Sequence, residues 1–547
     1  MCCATYAKYA FFEVANDDFS QTLLTPEQGG CLAFMHFHPK GRDSQKGTGF
    51  MIVIRINQLA EQLGVHRNTV RNWIKSGRLP ARSVSGKRYL VTESDFGKLC
   101  QEFGLDRSNL KLKYVRGAAA VDEPEFAVVE ENLKTIGGKS ELLRPDPQWG
   151  DVCLTCGSCA SACPLSGVDG IDPRKVIRMV TLGMDKELVA SPWPWKCTLC
   201  GKCEEACPMN IEIVQLMRRV RSLRDRERAP GPLHKGVRMC LEKGNNMGIP
   251  VGDFVELLND LAEEMREEGC PEFRMPIDVE GANMLVTINS IEPFAEPETL
   301  KFWWRIFYAA GESWTIPSKH WEGVNWGYFT GDDDSMKAIV GKIVENMERF
   351  QCKTLLLPEC GHAYYATRYG LERWYGEELK HFRVLSVFDL LVDYLKQGRI
   401  QVNASLHPEL TTYHDPCHYG RKSLKTFGHG YFEEGRWITR QCAPQLVEMY
   451  PNREGSYCCG AGGGAWALPF REERVFHGSV KARQIRNTRA RLVVTACHGC
   501  RDQISKSLRR EFDLDVEVKY LWELVSDSLV MPSRGLRQAV APGNRSQ

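Results

Sequence analysis

The sequence predicts a multidomain α/β chain: a small helical unit with a hairpin, then a helical cysteine-dense segment, then a duplicated α/β unit. Three observations predict it. Residues 55–90 carry eight basic side chains against one acid, Glu61, around an apolar stripe with a turn glycine. The cysteines, 22 in 547 residues, concentrate between Cys153 and Cys207 and between Cys417 and Cys500. From about 276 to 530, short apolar strands alternate with amphipathic helices. The composition, 43% hydrophobic and 26% charged, is that of a globular protein, and a net charge of +2 gives no global attraction to polyanions. No apolar run reaches the roughly 18 residues of a membrane span, and Met1–Ala10 lacks a basic stretch followed by an apolar one. The expected location is therefore cytoplasmic, where clustered thiols hold metal more often than they pair as disulfides.

Residues 1–50 show no periodicity, and the first strand pattern opens at Met51. The expectation is a disordered stretch or a mis-assigned start. Residues 51–100 form the first unit. Leu59, Leu63, Val65, Val70, Trp73 and Ile74 make its apolar stripe, Gly64 its turn, and Gly86 to Val91 a hairpin wing. This segment resembles the excisionase/MerR-type winged helix-turn-helix, with His66 where that family favours Ser or Thr as a helix cap. The resemblance places Arg67, Asn68, Arg71 and Asn72 on the exposed face of the second helix, where guanidinium and amide groups suit base edges. DNA is one implied partner; a docking domain that no longer reads DNA is the other reading.

Residues 101–150 read as a polar connector broken by Pro124, Pro145 and Pro147. Residues 151–230 hold Cys153-x-x-Cys156-x-x-Cys159-x-x-x-Cys163-Pro164, repeated as Cys197-x-x-Cys200-x-x-Cys203-x-x-x-Cys207-Pro208. Two-residue gaps let three thiolates of one loop wrap three iron corners, and the fourth cysteine reaches the other cluster. The predicted sets are Cys153, Cys156, Cys159 and Cys207 on one cubane 4Fe–4S cluster, and Cys197, Cys200, Cys203 and Cys163 on the other. Gly157 and Gly201 leave room for amides to approach cluster sulfur, and Pro164 and Pro208 fix the chain direction. Structural zinc is the alternative, but zinc needs only paired Cys-x-x-Cys knuckles, not a third cysteine at the same step. The segment thus reads as an α-helical dicluster ferredoxin domain, a wire for single electrons.

Residues 231–275 read as a helical linker, 276–405 and 406–530 as two halves of one duplicated unit, and 531–547 as a disordered tail. Leu355–His362 resembles Leu492–Gly499, and Tyr328-Phe329-Thr330-Gly331 lines up with Tyr457-Cys458-Cys459-Gly460. In the second half Cys417, Cys458, Cys459, Cys497 and Cys500 stand in turn-like contexts near strand ends, where ligands gather in open α/β sheets. Five thiols exceed the need of one zinc. A redox disulfide, Cys458–Cys459 or Cys497–Cys500, is the simpler alternative. The remaining cysteines, Cys2, Cys3, Cys31, Cys100, Cys240, Cys270, Cys352, Cys360 and Cys442, read mostly as buried bystanders.

Asp415-Pro416-Cys417-His418 and Cys458-Cys459-Gly460-Ala461-Gly462-Gly463 resemble the cysteine-rich "CCG" domain of heterodisulfide reductases. The order of dicluster segment and duplicated CCG unit is similar to their D subunit, and to the K subunit of the membrane complex associated with dissimilatory sulfite reduction. The resemblance covers about 150–530. It implies that the five cysteines bind one non-cubane 4Fe–4S cluster that reduces or forms a disulfide or trisulfide. It implies as partners a membrane cytochrome b-type or other electron-transfer subunit and a thiol or disulfide substrate, either a small molecule or a sulfur-carrier protein. It also implies a peripheral place on the inner membrane face. The first half departs from the family: it keeps only Cys360, with Phe329-Thr330 at the pair position and Asn289 and Ser290 where the first cysteine should be. One cluster, not a two-cluster clamp, is expected. His414, His418 and His498 lie beside ligands, either as proton donors to departing thiolates or as structural histidines; His498 is the catalytic candidate. Two other functions fit less of the pattern: the iron–sulfur subunit of a glycolate- or lactate-oxidising complex, and an iron–sulfur redox sensor acting through DNA.

Overall fold

In the computed structural model, the described residues are 51–55, parts of 59–102, 113–115, 152–224 and 230–531. Residues 1–50 and 532–547, read from the sequence as disordered or mis-assigned, lie outside them, as do the DNA-facing candidates Arg67, Asn68, Arg71 and Asn72. The chain divides into two units, Met1–Ala120 and Val121–Gln547.

The first unit holds a four-stranded antiparallel sheet of order β2-β3-β1-β4, from β1 (Met51–Arg55), β2 (Ala81–Ser85), β3 (Arg88–Thr92) and β4 (Lys113–Val115). β2 and β3 form the hairpin expected as a wing, with an irregular register between Ser83 and Ser85. β1 pairs with β3 and, on its other side, with β4. The stretch read as connector therefore supplies an edge strand, because Tyr114 and Val115 favour extended backbone. Leu59, Val70, Trp73 and Leu79 are buried with Phe96 and Cys100 of the helix Glu93–Glu102.

The second unit opens with the cysteine-dense segment, built of short helices. Its two runs repeat one backbone. Thr155 (φ 52°) and Leu199 (φ 51°) are left-handed just before the second cysteine, and Gly157 (φ 85°) and Gly201 (φ 74°) just after it. That double reversal curls three cysteines of each run around one side of a loop, and glycine is the residue that takes the second reversal without strain. The helices Pro173–Thr181 and Ile213–Ser222 hold the loops from behind, burying Val176, Ile177 and Val180 against Val214, Met217 and Val220.

Two four-stranded sheets follow, and every pair in both is parallel. The first has order β6-β5-β7-β8, from β5 (Met284–Val286), β6 (Trp314–Thr315), β7 (Thr354–Leu356) and β8 (Arg383–Leu385). The second has order β10-β9-β11-β12, from β9 (Thr411–Tyr413), β10 (Leu446–Val447), β11 (Leu492–Thr495) and β12 (Glu517–Tyr520). The strand order is thus the same in both. The central strands are buried throughout, as helix-covered parallel strands must be.

The segment read as a helical linker forms the helices Gly231–Lys243 and Val251–Glu267, and the second is part of the core. Its Phe254, Leu258, Leu261 and Met265 are buried, with Phe254 stacked on Trp321 at 4.2 Å. Their spacing puts all four on one helix face, so the sequence pattern carried a packing face rather than a spacer. One hydrophobic core runs through both sheets: Trp303 stacks on Trp522 at 5.6 Å and Tyr364 on Tyr419 at 5.1 Å.

Candidate functional site

The eight cysteines of the two runs line two separate small cavities. One is lined by Cys153, Cys156, Cys159 and Cys207, the other by Cys163, Cys197, Cys200 and Cys203. Each cavity therefore takes three cysteines from one run and the last from the other. Burial pushes the Cys159 thiol up to about 11 and the Cys163 thiol up to about 12. A pocket that disfavours bare thiolate fits a group that brings its own positive charge, as iron does.

The five cysteines of the C-terminal half come together in a second, buried place. Cys458, Cys459, Cys417 and Cys500 are all under 10% exposed. Cys459 Sγ and Cys500 Sγ stand 3.3 Å apart. Cys458 stands beside both Cys417 and Cys459, and Cys497 beside Cys500. The loops that deliver them leave the carboxyl ends of β9 and β11 and the turn before the helix Arg471–Thr488. Both ring nitrogens of His414 and both of His477 have no hydrogen-bond partner among the described residues, although the two rings are buried. His414 lies within 4.8 Å of Cys459 and Cys500, and His477 within 4.8 Å of Cys200 and Cys458. Unpartnered imidazoles facing a ring of thiols fit a sulfide-rich group that accepts N–H hydrogen bonds.

Asp415 holds the first of these loops. Its carboxylate accepts two bonds from Arg436, at 2.6 and 3.0 Å, and one from the Arg453 backbone N–H at 2.8 Å. Arg436, fully buried, also donates to Glu448 at 2.7 and 2.9 Å. Burial alone would raise the Asp415 carboxyl, but Arg436 holds it below the usual carboxylate range. Ionised Asp415 therefore stabilises the fold above its unfolded value near pH ~4, and that contribution disappears as pH falls through the lower folded value. Arg436→Met leaves a buried carboxylate unpaired. It is expected to cost about 3–5 kcal/mol at pH 7 and less in acid, where Asp415 takes up a proton; urea unfolding at the two pH values checks this.

The three candidate histidines differ. Burial pushes His414 down to about 3 and His418 well below its ordinary value, so both are neutral near pH 7. Their N–H groups can donate hydrogen bonds, but neither stores an ionisable proton there. His418 Nδ1 lies 3.5 Å from Cys417 Sγ. His498 turns away from the thiols. Its Nδ1 meets Tyr520 Oη at 2.8 Å and Glu292 at 3.4 Å, and its Nε2 meets Asp502 at 3.5 Å. Burial lowers its pKa, but Glu292 and Asp502 outweigh this and raise it.

In the first half, aromatic side chains fill the corresponding place. Phe329, at the pair position, stacks on His362 at 4.1 Å, and Tyr328 packs edge-on to His362 at 5.3 Å. Asn289 and Ser290 are buried at the other expected ligand position.

The dicluster loops and the five-cysteine site touch. Cys200 Sγ lies within 4.8 Å of Cys458 Sγ, and Thr198 Oγ1 lies 3.8 Å from it. A Cβ on Gly462 would stand 2.4 Å from the Thr198 carbonyl oxygen, and one on Gly463 2.6 Å from that of Cys197. Only glycine permits that approach. The fully buried Arg221 fastens the junction, donating to the carbonyls of Pro194 (2.9 Å), Cys197 (2.6 Å), Phe329 (2.7 Å) and Gly463 (2.9 Å). Arg221, His477 and Arg436 were not among the candidates read from the sequence; nothing in their spacing marks them.

Comparison with known proteins agrees with this layout. Residues 149–211 match the family of 4Fe-4S dicluster domains, 411–505 the cysteine-rich domain family, and 53–99 the helix-turn-helix domain family. The chain is 32% identical over 188 residues to the D subunit of the dihydromethanophenazine:CoB--CoM heterodisulfide reductase of Methanosarcina acetivorans, a match covering 34% of this chain and 43% of that protein. It is 23% identical over 421 residues to a probable membrane-anchored ferredoxin of Chromohalobacter salexigens, covering 69% and 60%. It is 23% identical over 337 residues to the second iron-sulfur subunit of the Hdr-like menaquinol oxidoreductase of Archaeoglobus fulgidus, covering 53% and 59%. The chain thus spans less than half the length of the first of these, and less than two thirds of the others. It carries matches to iron–sulfur, cysteine-rich and helix-turn-helix domains and is similar, over part of its length, to subunits of Hdr-like oxidoreductases. No helix among the described residues is long and apolar enough to cross a membrane.

Proposed function

We propose that this chain carries electrons from a partner subunit, of the membrane cytochrome b type, through two cubane clusters to a non-cubane 4Fe–4S cluster where a disulfide or trisulfide is reduced or formed. In the reducing direction a disulfide takes two electrons and two protons and leaves as two thiols. The observation that carries the reading is the contact of the Cys197–Gly201 loop with Cys458 and Gly462-Gly463. A wire whose last loop packs on a second thiol cluster has an outlet there.

Cys153, Cys156, Cys159 and Cys207 would hold the outer cubane and Cys163, Cys197, Cys200 and Cys203 the inner one. Cys417, Cys458, Cys459, Cys497 and Cys500 would hold the terminal cluster, which when bound supplies iron for sulfur to bind and electrons one at a time. The chain's own residues do the rest. Arg436 and Asp415 fix the Cys417 loop, and His414, His418 and His477 offer N–H groups towards sulfur. Such bonds favour the more negatively charged, reduced state of a cluster. His498, paired with Tyr520 and two carboxylates, acts as a positioning residue for the Cys497 loop rather than as a proton donor to the thiols.

Anaerobic purification with iron counting tests the reading. About twelve irons per chain and a third paramagnetic signal that responds to an added thiol are expected; about eight irons would end it. Cys459→Ser should remove about four irons and disulfide reductase activity while leaving the cubane signals in place.

A further inference from the structure

We propose that Cys360, from the first half, supplies a sulfur ligand to the cluster held at Cys417, Cys458, Cys459, Cys497 and Cys500. The terminal centre is then built by both halves. The inference rests on the proposed presence of a cluster at those five thiols.

Cys360 sits at the carboxyl end of β7 as the N-cap of the helix Gly361–Trp374, where its Sγ accepts the Ala363 N–H at 3.3 Å. It is 7% exposed. Its thiol lies beside Cys497, which packs against the same core, and Cys497 lies in turn beside Cys500. The surrounding backbone is drawn to the same place. The Glu359 carbonyl accepts the His498 N–H at 3.2 Å, tying the Cys360 turn to the Cys497 turn. A Cβ on Gly361 would stand 2.9 Å from the Tyr419 ring and 3.2 Å from His418 Cβ, so the same turn also packs directly on the loop that follows Cys417. Other scattered thiols meet different groups: Cys240 faces Glu322 at 3.4 Å and Cys352 the Phe350 carbonyl at 3.7 Å.

A second observation points to a ligand at this seam. His362, two residues after Cys360, and His418, one after Cys417, stack edge-to-face at 5.5 Å between ring centres. Both are more than nine-tenths buried, and each leaves one nitrogen, His362 Nδ1 and His418 Nε2, without a partner among the described residues. Buried imidazole nitrogens left over on both sides of a thiol seam fit a sulfur-bearing group between the halves. On binding, the Cys360 thiol loses its proton to solvent and becomes a thiolate ligand; no electron is transferred in that step.

The test uses the full-length, anaerobically purified protein with Cys360→Ser, Cys360→Ala and, as control, Cys442→Ser. The cubane signals and their about eight irons certify folding in each. Both Cys360 variants are expected to shift or lose the third paramagnetic signal, and the control to keep it. With 2-mercaptoethanol as probe, a Cys360→Ala protein that keeps the third centre should respond at a concentration at least about tenfold lower than the parent, since an internal competitor has gone. An unchanged third signal in both variants overturns the proposal, as does a Cys360–Cys497 disulfide found by mass spectrometry of the alkylated parent protein. If neither variant folds, electron–nuclear double resonance on the parent labelled with Cβ-deuterated cysteine decides. One coordinating cysteine beyond the five supports the proposal, and none beyond them overturns it. A parent protein without a third centre ends the proposed function itself, so the two failures are distinct.

Discussion

Arg221→Leu is expected to destabilise the second unit by about 5 kcal/mol or more, because four buried carbonyls lose their donor and each unsatisfied group costs about 1–3 kcal/mol. Those carbonyls belong to the dicluster segment (Pro194, Cys197), the first half (Phe329) and the second half (Gly463), so one side chain joins three stretches of chain. The guanidinium also lies over the Trp195 ring, with 5.2 Å to its centre. Lysine at this position would not rescue the variant, since a single ammonium cannot reach acceptors spread around a planar fork. Denaturant unfolding measures the loss. Iron should be lost first from the proposed inner cubane, whose Cys197 loop Arg221 holds. An Arg221→Leu protein as stable as its parent would show that the junction is held elsewhere.

Gly462→Val is expected to separate supply from use. Its Cβ would meet the Thr198 carbonyl oxygen at 2.4 Å, and backbone on both sides must move to relieve that. The Cys197–Gly201 loop and the Cys458–Gly464 loop are then held apart while every cysteine remains. Iron content and all signals of the dithionite-reduced protein should be those of the parent. Disulfide reduction driven from the cubanes should fall about tenfold to a hundredfold, the scale on which small displacements at a reacting site act. Gly455→Ala is the control: its Cβ would meet nothing closer than 3.5 Å, so the rate should hold.

The cysteine geography was legible because metal chemistry writes itself in short spacings. The two runs predicted which thiols share a cavity, and the cavities contain those same sets. The first unit's hairpin and the alternation of strand and helix after residue 276 were equally legible, since both rest on local periodicity. Long-range placement was not. Cys360 looked like a stray thiol, although the repeat that aligns it with Cys497 was already visible in Leu355–His362 and Leu492–Gly499. The helix Val251–Glu267 looked like a spacer because an amphipathic pattern does not say what its face meets. His498 looked like a proton donor because it adjoins Cys497, but at a helix start the next side chain points elsewhere, here to Tyr520 and Glu292. Arg221 and Arg436 act through backbone and carboxylate partners distant in sequence, and no motif announces such partners.

The burial of Cys417, Cys458, Cys459 and Cys500 beneath the glycine loop bears on how the protein matures. The proposed cluster could not pass preassembled through a shell buried in this way, and would have to enter before the shell closes. Thr198 meets Gly462, and Arg221 meets Gly463, in the closed arrangement. For the proposed cluster, biogenesis would then have an order: iron and sulfide in place before Gly462 and Gly463 close on the Thr198 and Cys197 carbonyls.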